Sequence, residues 1–193
     1  MDNTAGSLSQ TQKSVIIGSI LGDGYLRIIK GRQNAFLEIN HSLKQRAYVD
    51  WKYNLLKDIV KSPPRLRVSN NNRSAYRFYT RQHDELTLLF HYFYRQGIKI
   101  IPDKFRITPL TLAVWFMDDG SKCQSSDIYL NTQQFDDESQ GNIIASLKDI
   151  GLTARLNKDA KYKRVRFIKS CLPQLVDLVE PYIIPSMRYK IEI

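Results

Sequence analysis

An apolar stretch with helical spacing that ends in Asp-Gly occurs twice in this chain. The first copy, SVIIGSILGDGYL, occupies residues 14–26, and the second, TLAVWFMDDGSK, occupies residues 111–122. Their aspartates, Asp23 and Asp119, lie 96 positions apart, about half the length of the 193-residue chain. Such a repeat predicts two similar half-domains, each with its own apolar helix and related by an approximate twofold axis.

Helical and strand patterns alternate in the same order in both halves. Apolar residues at three- and four-residue steps predict further helices at 42–60, 83–97, 136–151 and 171–183. In the first of these helices the predicted apolar face consists of Leu43, Ala47, Trp51, Leu55, Leu56 and Ile59. Alternating residues and turn signals predict strands within 25–40, 65–81, 126–133 and 152–169. The order helix, two strands, helix, two strands, helix therefore occurs twice, and the predicted fold class is α+β.

The repeat also predicts where the halves begin and end. Residues 1–10 are polar and are predicted to be a flexible N-terminus whose removal has little effect. The first half is then 11–102, the linker is 103–110, and the second half is 111–193. Three residue pairs that recur at offsets of 91 to 96 positions support this division: Asp23 and Asp119, His41 and Gln133, and Lys99 and Lys190.

The chain is strongly basic, with 29 Lys and Arg residues against 19 Asp and Glu and a net charge of +10. This charge favours a polyanionic partner, most commonly nucleic acid, although solubility alone is the alternative explanation. The excess is uneven, because residues 1–102 carry a net +9 and residues 103–193 a net +1. We therefore expect the first half to hold nucleic acid more tightly, and with greater salt sensitivity, than the second.

Composition argues against several other classes of protein. Cys123 and Cys171 have no CxxC or CxxH spacing, and three histidines are too few for a zinc finger. No apolar run reaches the roughly 18 residues that a membrane span requires, so no membrane partner is expected. The N-terminus lacks the apolar core of a secretory signal, which predicts an intracellular protein in a bacterial cytoplasm, a chloroplast or a mitochondrion.

Each Asp-Gly pair places a carboxylate at the negative end of a helix. That position costs roughly 0.3–1 kcal/mol, because a helix C-terminus carries about half a negative charge. We expect Gly24 and Gly120 to adopt the left-handed conformation that ends many helices. If the helices pack together through Gly18, Gly22 and Ala113, two carboxylates meet and require a cation, for which Mg²⁺ is the best match. The alternative is that both segments are ordinary core helices whose aspartates only cap a turn.

These two segments resemble the signature helices of the LAGLIDADG homing endonucleases, and WFMDDG is typical of one branch of that family. The C-terminal PYIIPSMRYKI and the internal LNTQQF are also similar to that branch, so the resemblance covers residues 12–193. It implies a monomer of two αββαββα halves with saddle-shaped antiparallel sheets that lie across the major groove of double-stranded DNA. It also implies hydrolysis of one phosphodiester bond on each strand of a long asymmetric site, which leaves short 3′ overhangs.

The same resemblance assigns roles to particular residues. Asp23 and Asp119 match the aspartates that hold divalent metal, two or three Mg²⁺ ions, with Gly22 and Asp118 as further candidate ligands. The full set of implied catalytic residues is Asp23, Asp119, Lys99, Lys190, His41 and Gln133. In the family the two lysine positions lie beside the scissile phosphates, and the positions of the histidine and the glutamine order water near the metal. No protein nucleophile is required, which agrees with the absence of a Ser/His/Asp or Cys/His pattern.

Basic residues on the predicted strand faces are the candidates for DNA contacts. Arginine and glutamine side chains reach guanine and adenine edges in the major groove, although each can equally contact phosphate. The candidates are Arg27, Arg32, Gln33, Arg65, Arg67, Arg77 and Arg81 in the first half, and Arg155, Arg164 and Arg166 in the second.

Two other functions remain open from the sequence. One is an RNA maturase that assists splicing of its host intron, with or without residual DNA cleavage, because some relatives have this role. The other is a DNA-binding regulator without catalytic activity. The paired aspartates favour the enzyme, since RNA binding alone gives no reason to pair them. The chain is expected to be the free-standing product of an intron reading frame.

Overall fold

The computed structural model describes residues 6–68, 74–123 and 127–192. The contacts divide the chain into two compact units, the first ending at Tyr92 and the second beginning at Phe93. In both units the chain follows the order αββαββα, which confirms the predicted α+β fold class. None of the described helices is long and apolar enough to cross a membrane.

Unit 1 combines three helices with one four-stranded antiparallel sheet. The helices are α1 (Gln10–Leu21), α2 (Arg46–Leu56) and α3 (Asp84–Phe93), whose last residue is the first of unit 2. The strands are β1 (Tyr25–Ile28), β2 (Ala35–Ser42), β3 (Arg65–Val68) and β4 (Ser74–Tyr79). They pair in the order β1-β2-β4-β3. Short 3₁₀ turns at Leu43–Gln45 and Lys57–Ile59 flank α2.

Unit 2 repeats this arrangement after a small hairpin. The hairpin consists of β5 (Tyr94–Arg95) and β6 (Ile98–Lys99). The helices are α4 (Pro109–Asp119), α5 (Asp137–Asp149) and α6 (Leu172–Val179). The strands are β7 (Gly120–Lys122), β8 (Ile128–Leu130), β9 (Ala154–Asp159) and β10 (Tyr162–Phe167), and they pair in the order β7-β8-β10-β9. The described chain ends with a 3₁₀ segment at Pro185–Lys190 and two further residues.

The buried face of α2 differs from the predicted one. Leu43 and Ala47 are exposed, whereas the buried residues of the helix are Tyr48, Val49, Lys52 and Leu56. A fully buried lysine therefore occupies a core position that the hydrophobic pattern assigns to the surface. The buried face of α2 is therefore rotated around the helix axis relative to the predicted apolar face.

Leu8 anchors the segment 6–10 within unit 1, whereas the sequence predicts a flexible N-terminus over residues 1–10; residues 1–5 lie outside the described range. Leu8 is only 4% exposed. Its backbone N–H donates to a Glu85 carboxylate oxygen at 2.6 Å. The Lys13 ammonium lies 2.6 Å from the other Glu85 oxygen and is the main cause of the lowered pKa of that carboxyl. Ser9 caps α1 in a capping box with Gln12.

The predicted linker is also packed. Phe105 and Ile107 are buried, and the Ser146 hydroxyl of α5 donates to the Phe105 carbonyl. The Phe105 ring packs edge-on against Phe93 at 5.4 Å between centroids. These contacts explain why the division of the chain falls between Tyr92 and Phe93, ten residues before the predicted end of the first half.

Candidate functional site

Both signature helices end against a glycine, but not in the left-handed conformation that we expected. Gly120 has φ −68° and ψ 139°, and the described glycines with positive φ are Gly31, Gly97 and Gly151. A Cβ on Gly24 would lie 2.7 Å from the Ser19 carbonyl oxygen. A Cβ on Gly120 would overlap the Phe116 carbonyl oxygen and lie 2.6 Å from its ring. Glycine is thus required because the chain passes closely over the last helical turn.

In unit 1 the structure brings together two predicted site residues, Asp23 and His41. Asp23 follows α1 with its side chain 53% exposed, and His41 lies on the buried face of β2 with its side chain 2% exposed. The Nδ1 atom of His41 is 3.5 Å from a carboxylate oxygen of Asp23. The contact arises because β1, which begins two residues after Asp23, pairs with β2. An exposed carboxylate beside an imidazole offers oxygen and nitrogen donors of the kind that divalent cations bind.

The surroundings of His41 include residues that sequence reasoning missed. The Tyr48 ring lies 5.3 Å from the His41 ring, and Trp51 stacks on Tyr48 at 5.9 Å. The Lys52 ammonium lies 4.3 Å from the centroid of the Tyr48 ring. The sequence did contain a pattern that indicates these contacts, because four-residue spacing places Tyr48, Lys52 and Leu56 on one face of the helix.

In unit 2 the corresponding aspartate is held from within its own helix. The indole N–H of Trp115 donates to the Asp119 carboxylate at 3.2 Å. The Trp115 ring is fully buried and packs edge-on against Phe135. The position four residues before Asp23 is occupied by Ser19, whose buried hydroxyl has no hydrogen-bond partner among the described residues. Asp118, the alternative ligand, is partly buried beside Asp119.

Lys190 lies at the end of α4 and donates to its backbone. Its ammonium is 3.4 Å from the carbonyl oxygen of Phe116, 2.6 Å from that of Met117 and 3.3 Å from that of Asp118. The residue is 8% exposed. A buried cation on the last carbonyls offsets the negative end of the helix, where two neighbouring aspartates lie. The contact depends on the C-terminal 3₁₀ segment and was not predicted.

The remaining predicted catalytic residues, Lys99 and Gln133, are both partly buried. Lys99 pairs with Tyr94 in the β5–β6 hairpin and belongs to unit 2. Gln133 lies in the turn after β8. Counted along the ladders from each Asp-Gly, the position equivalent to His41 is Thr132 rather than Gln133. The Thr132 hydroxyl donates to the Gln140 side chain at 2.9 Å, so the two units differ at this position.

The outer face of the unit 1 sheet carries the predicted arginines. Alternation along the strands and the ladder register place Arg27, Arg65, Arg67 and Arg77 on this face. Glu38 lies among them, 3.3 Å from Arg27 and 3.9 Å from Arg77. Arg32, Gln33 and Arg81 are exposed beyond the strand ends. An open cavity of about 590 Å³ is lined by Lys61, Arg65, Arg67, Arg77 and Tyr79, among others.

The outer face of the unit 2 sheet is basic too, and two of its arginines contact neighbouring side chains at short range. Arg155, Arg164 and Arg166 share this face. Arg166 lies 2.6 Å from Asp127, and the Arg164 guanidinium lies 4.0 Å from the centroid of the Tyr129 ring.

The comparisons with known proteins identify the family. Residues 13–175 match the LAGLIDADG DNA endonuclease family. The chain belongs to this family. A relative described as "Probable intron-encoded endonuclease 1" of Wickerhamomyces canadensis is 33% identical over 202 residues, covering 96% of this chain and 85% of the relative. The predicted family and the predicted class of enzyme, a DNA endonuclease, are thereby confirmed.

Solved structures support the LAGLIDADG fold over nearly the whole chain. The homing endonuclease I-WcaI bound to its DNA recognition sequence is 30% identical, with a TM-score of 0.86, covering 96% of this chain and 87% of that one. The "Cytochrome b mRNA maturase bI2" of Saccharomyces cerevisiae is 28% identical over 99% of this chain. The chain spans about half the length of that maturase, 49%.

LAGLIDADG endonucleases generally use divalent metal ions, and the donor set here fits such ions. Asp23 and Asp119 present carboxylate oxygens at the ends of equivalent helices, and neither aspartate is buried. Hard oxygen ligands that leave room for water suit Mg²⁺. Neither of the repeated Asp-Gly segments, 14–26 and 111–122, contains a cysteine, so nothing in the motif favours a softer ion.

Proposed function

We propose that this protein is a site-specific homing endonuclease that makes double-strand breaks in a long asymmetric DNA site by Mg²⁺-dependent phosphodiester hydrolysis. The observation that carries the proposal is made in each unit separately. An aspartate lies at or just beyond the end of the first helix, immediately before a sheet whose outer face carries arginines. The similarity to a DNA-bound homing endonuclease supports the same conclusion. Because both units lie in one chain, we propose that the protein acts as a monomer.

Asp23 and Asp119 are the proposed metal ligands, one in each unit, with Asp118 and the Gly22 backbone as further candidates. When bound, Mg²⁺ supplies a lowered pKa for a coordinated water and positive charge beside the phosphate. His41 orients the Asp23 carboxylate through its Nδ1 atom, and Trp115 does the same for Asp119 through its indole N–H. These contacts hold the carboxylate of each aspartate in one orientation when water or DNA binds beside it.

Lys99 and Lys190 are proposed to place positive charge near the reacting phosphates. Gln133 is proposed to order water. An ammonium close to the phosphate stabilises the charge that develops during hydrolysis. For Lys190 the three carbonyl contacts add a second role, because the same ammonium secures the end of α4 from which Asp119 projects. Substitution there should reduce both stability and cleavage.

The outer faces of the sheets are the proposed DNA-reading surfaces. A two-stranded antiparallel ribbon fits the major groove, and arginines on alternate positions of one face reach base edges and phosphates. In unit 1 the proposed contacts include Arg27, Arg65, Arg67 and Arg77, with Arg32, Gln33 and Arg81 toward the strand ends. In unit 2 they are Arg155, Arg164 and Arg166. Arginine-to-glutamine changes at phosphate contacts should weaken binding and reduce its salt dependence.

The test begins with selection of cleaved sites from a randomised DNA library in Mg²⁺, followed by mapping of both cut positions. Asp23→Asn and Asp119→Asn should then bind the selected site normally but lose cleavage of at least one strand. Asp118→Asn separates the two adjacent carboxylates in unit 2. Asp58→Asn, at an exposed residue of unit 1, is the matched control for the loss of one negative charge.

Each outcome of this test has a definite meaning. Full double-strand cleavage by Asp119→Asn together with inactivity of Asp118→Asn would move the metal ligand by one residue. Full cleavage by all three variants would place the chemistry elsewhere. Failure of the wild-type protein to cleave any selected DNA would overturn the proposed function itself.

A second candidate function, RNA maturation, is favoured by one comparison. Cytochrome b mRNA maturases of Saccharomyces cerevisiae and Debaryomyces hansenii are 28% and 27% identical to this chain. A maturase that only binds intron RNA does not need its carboxylates for metal. Splicing assistance that survives Asp23→Asn and Asp119→Asn, with no DNA cleavage by the wild type, would favour this function.

A further inference from the structure

Helix α2 buries a lysine completely. Lys52 is 0% exposed and lies one turn after Tyr48, which is also fully buried. An ammonium taken out of water costs several kcal/mol, so apolar residues of similar volume are often equally or more stable at such positions. Core packing alone therefore gives no reason for a lysine at position 52.

The contacts of Lys52 lead to the candidate metal ligand of unit 1. Its ammonium lies over the Tyr48 ring, 4.3 Å from the centroid, at a distance typical of a cation–π interaction. The Tyr48 ring in turn lies 5.3 Å from the His41 ring, tilted by 56°. The Nδ1 atom of His41 is 3.5 Å from Asp23 Oδ2. Three successive contacts thus join a buried cation to an exposed carboxylate.

The middle of this chain of contacts is held on several sides. Trp51 stacks on Tyr48 with ring planes 19° apart, and Lys52 covers the same ring. The His41 backbone is fixed as well, because His41 pairs with Tyr76 of β4 in the antiparallel ladder. A ring that cannot move limits the orientations of the imidazole beside it, and so the direction from which Nδ1 meets Asp23.

We propose that Lys52 and Tyr48 are positioning residues for Asp23. They fix the His41 ring, and the ring fixes the carboxylate that receives the divalent cation. The inference rests on the proposed function, in which Asp23 is a metal ligand. Outer-shell partners of metal ligands typically change metal affinity or activity by about 10–100-fold when they are replaced.

The test uses Lys52→Met, which keeps an unbranched side chain without charge, and Lys57→Met as a matched control at an exposed lysine of the following turn. Tyr48→Leu removes the ring, and Tyr48→Phe keeps it. Lys52→Met and Tyr48→Leu should raise the Mg²⁺ concentration for half-maximal cleavage about tenfold and slow one DNA strand selectively, so that nicked plasmid accumulates. Lys57→Met should match the wild type in both respects, and Tyr48→Phe, which keeps the ring, should lie closer to the wild type than Tyr48→Leu.

A second measurement does not require cleavage or bound metal. The chain has three histidines, so the imidazole signals of His41 can be assigned in NMR spectra of the metal-free protein. Lys52→Met and Tyr48→Leu should shift or broaden the His41 signals, whereas Lys57→Met should leave them in place. If the wild type cleaves no DNA, the proposed function fails, and the His41 spectra still decide whether Lys52 and Tyr48 position the imidazole.

Several results would overturn the inference. One is Lys52→Met with unchanged His41 signals. Another is a Lys52→Met variant whose cleavage has the same Mg²⁺ dependence as that of a wild type that cleaves DNA. A third is an equal slowing of both strands together with a lower melting temperature, because that pattern indicates a purely structural role. The supporting pattern is strand-selective loss at an unchanged or higher melting temperature.

Discussion

The two units share strand order, helix order and an aspartate at the same position, yet they support that aspartate differently. In unit 2 the support comes from α4 and the C-terminal segment, through Trp115 and Lys190. In unit 1 it comes from the sheet, through His41, which in turn packs against Tyr48 of α2. The position that matches Trp115 is Ser19, whose hydroxyl has no hydrogen-bond partner among the described residues.

This difference separates what the fold requires from what it leaves free. The close passage of the chain over the last helical turn requires glycine after both aspartates. The side chains that hold each carboxylate are not fixed by that geometry, so each unit has its own set. Substitutions in one set should therefore affect one unit and spare the other.

The largest effect is expected where the two units are alike, at the glycines. Gly120→Ala and Gly24→Ala should each lower the free energy of unfolding by about 2–3 kcal/mol, because the added methyl group overlaps backbone atoms that cannot move away. Gly120→Ala should cost more, since it also overlaps the Phe116 ring. Urea unfolding measures both. Gly141→Ala in α5, which has open space around the added methyl group, should be neutral or stabilising. Wild-type stability of Gly120→Ala would contradict the close approach.

The next effect distinguishes the two buried lysines. Lys190→Met should lower the free energy of unfolding by about 2 kcal/mol, because it removes a charge and three hydrogen bonds from the end of α4. Lys52→Met should leave stability unchanged or raise it, for the reason given above. Lys169→Met, at an exposed residue, is the control. Equal destabilisation by Lys190→Met and Lys52→Met would remove this distinction between the units.

Much of the fold was predictable because it depends on local patterns. The repeated Asp-Gly helices and the alternating strands predicted the order of elements in both units. The face of α2 was not predictable, since Lys52 occupies a core position and pattern reading assigns lysine to solvent. The need for glycine at positions 24 and 120 was predicted correctly, but the reason was wrong, because steric contact and not a positive φ excludes a side chain there.

The candidate site divides in the same way. The two aspartates were identified from the repeated Asp-Gly segments, and the resemblance to a family assigned a role to them and to His41. The hydrogen bond from Trp115 to Asp119 could have been predicted from the sequence, because the two residues are four apart on one helix. The contacts of Lys190 join residues more than 70 positions apart, and no local pattern indicates such a contact.

A smaller effect tests the support of Asp119 in unit 2. Trp115→Phe keeps an aromatic ring in the core but removes the indole N–H, so cleavage of one strand should fall about tenfold, the value of one hydrogen bond to a charged group. Ser19→Ala is the matched change in unit 1 and should leave cleavage and stability unchanged, because the described residues offer that hydroxyl no partner. Strand-resolved cleavage of labelled DNA measures both variants. A larger loss from Ser19→Ala than from Trp115→Phe would reverse the comparison.

The smallest effect concerns the helices that follow the first hairpin of each unit. Asp136 caps α5, its carboxylate accepting the Ser139 N–H at 2.8 Å, whereas α2 begins without a side-chain cap. This backbone hydrogen bond is the main cause of the lowered pKa of Asp136. Because the folded-state pKa is lowered, its stabilisation is complete above the ordinary value of 3.8 and is lost as the pH falls through the folded-state pKa.

At neutral pH, Asp136→Ala should therefore lower the free energy of unfolding by about 1 kcal/mol, and Asp136→Asn by less, since asparagine also caps helices. Urea unfolding at several pH values checks this. The difference between wild type and Asp136→Asn should shrink as the solution is acidified, because protonation removes the charge that distinguishes the two side chains. Gln45→Ala, at the uncapped start of α2, should change stability little at any pH. A pH-independent difference between wild type and Asp136→Asn would show that the Asp136 charge contributes nothing to the cap.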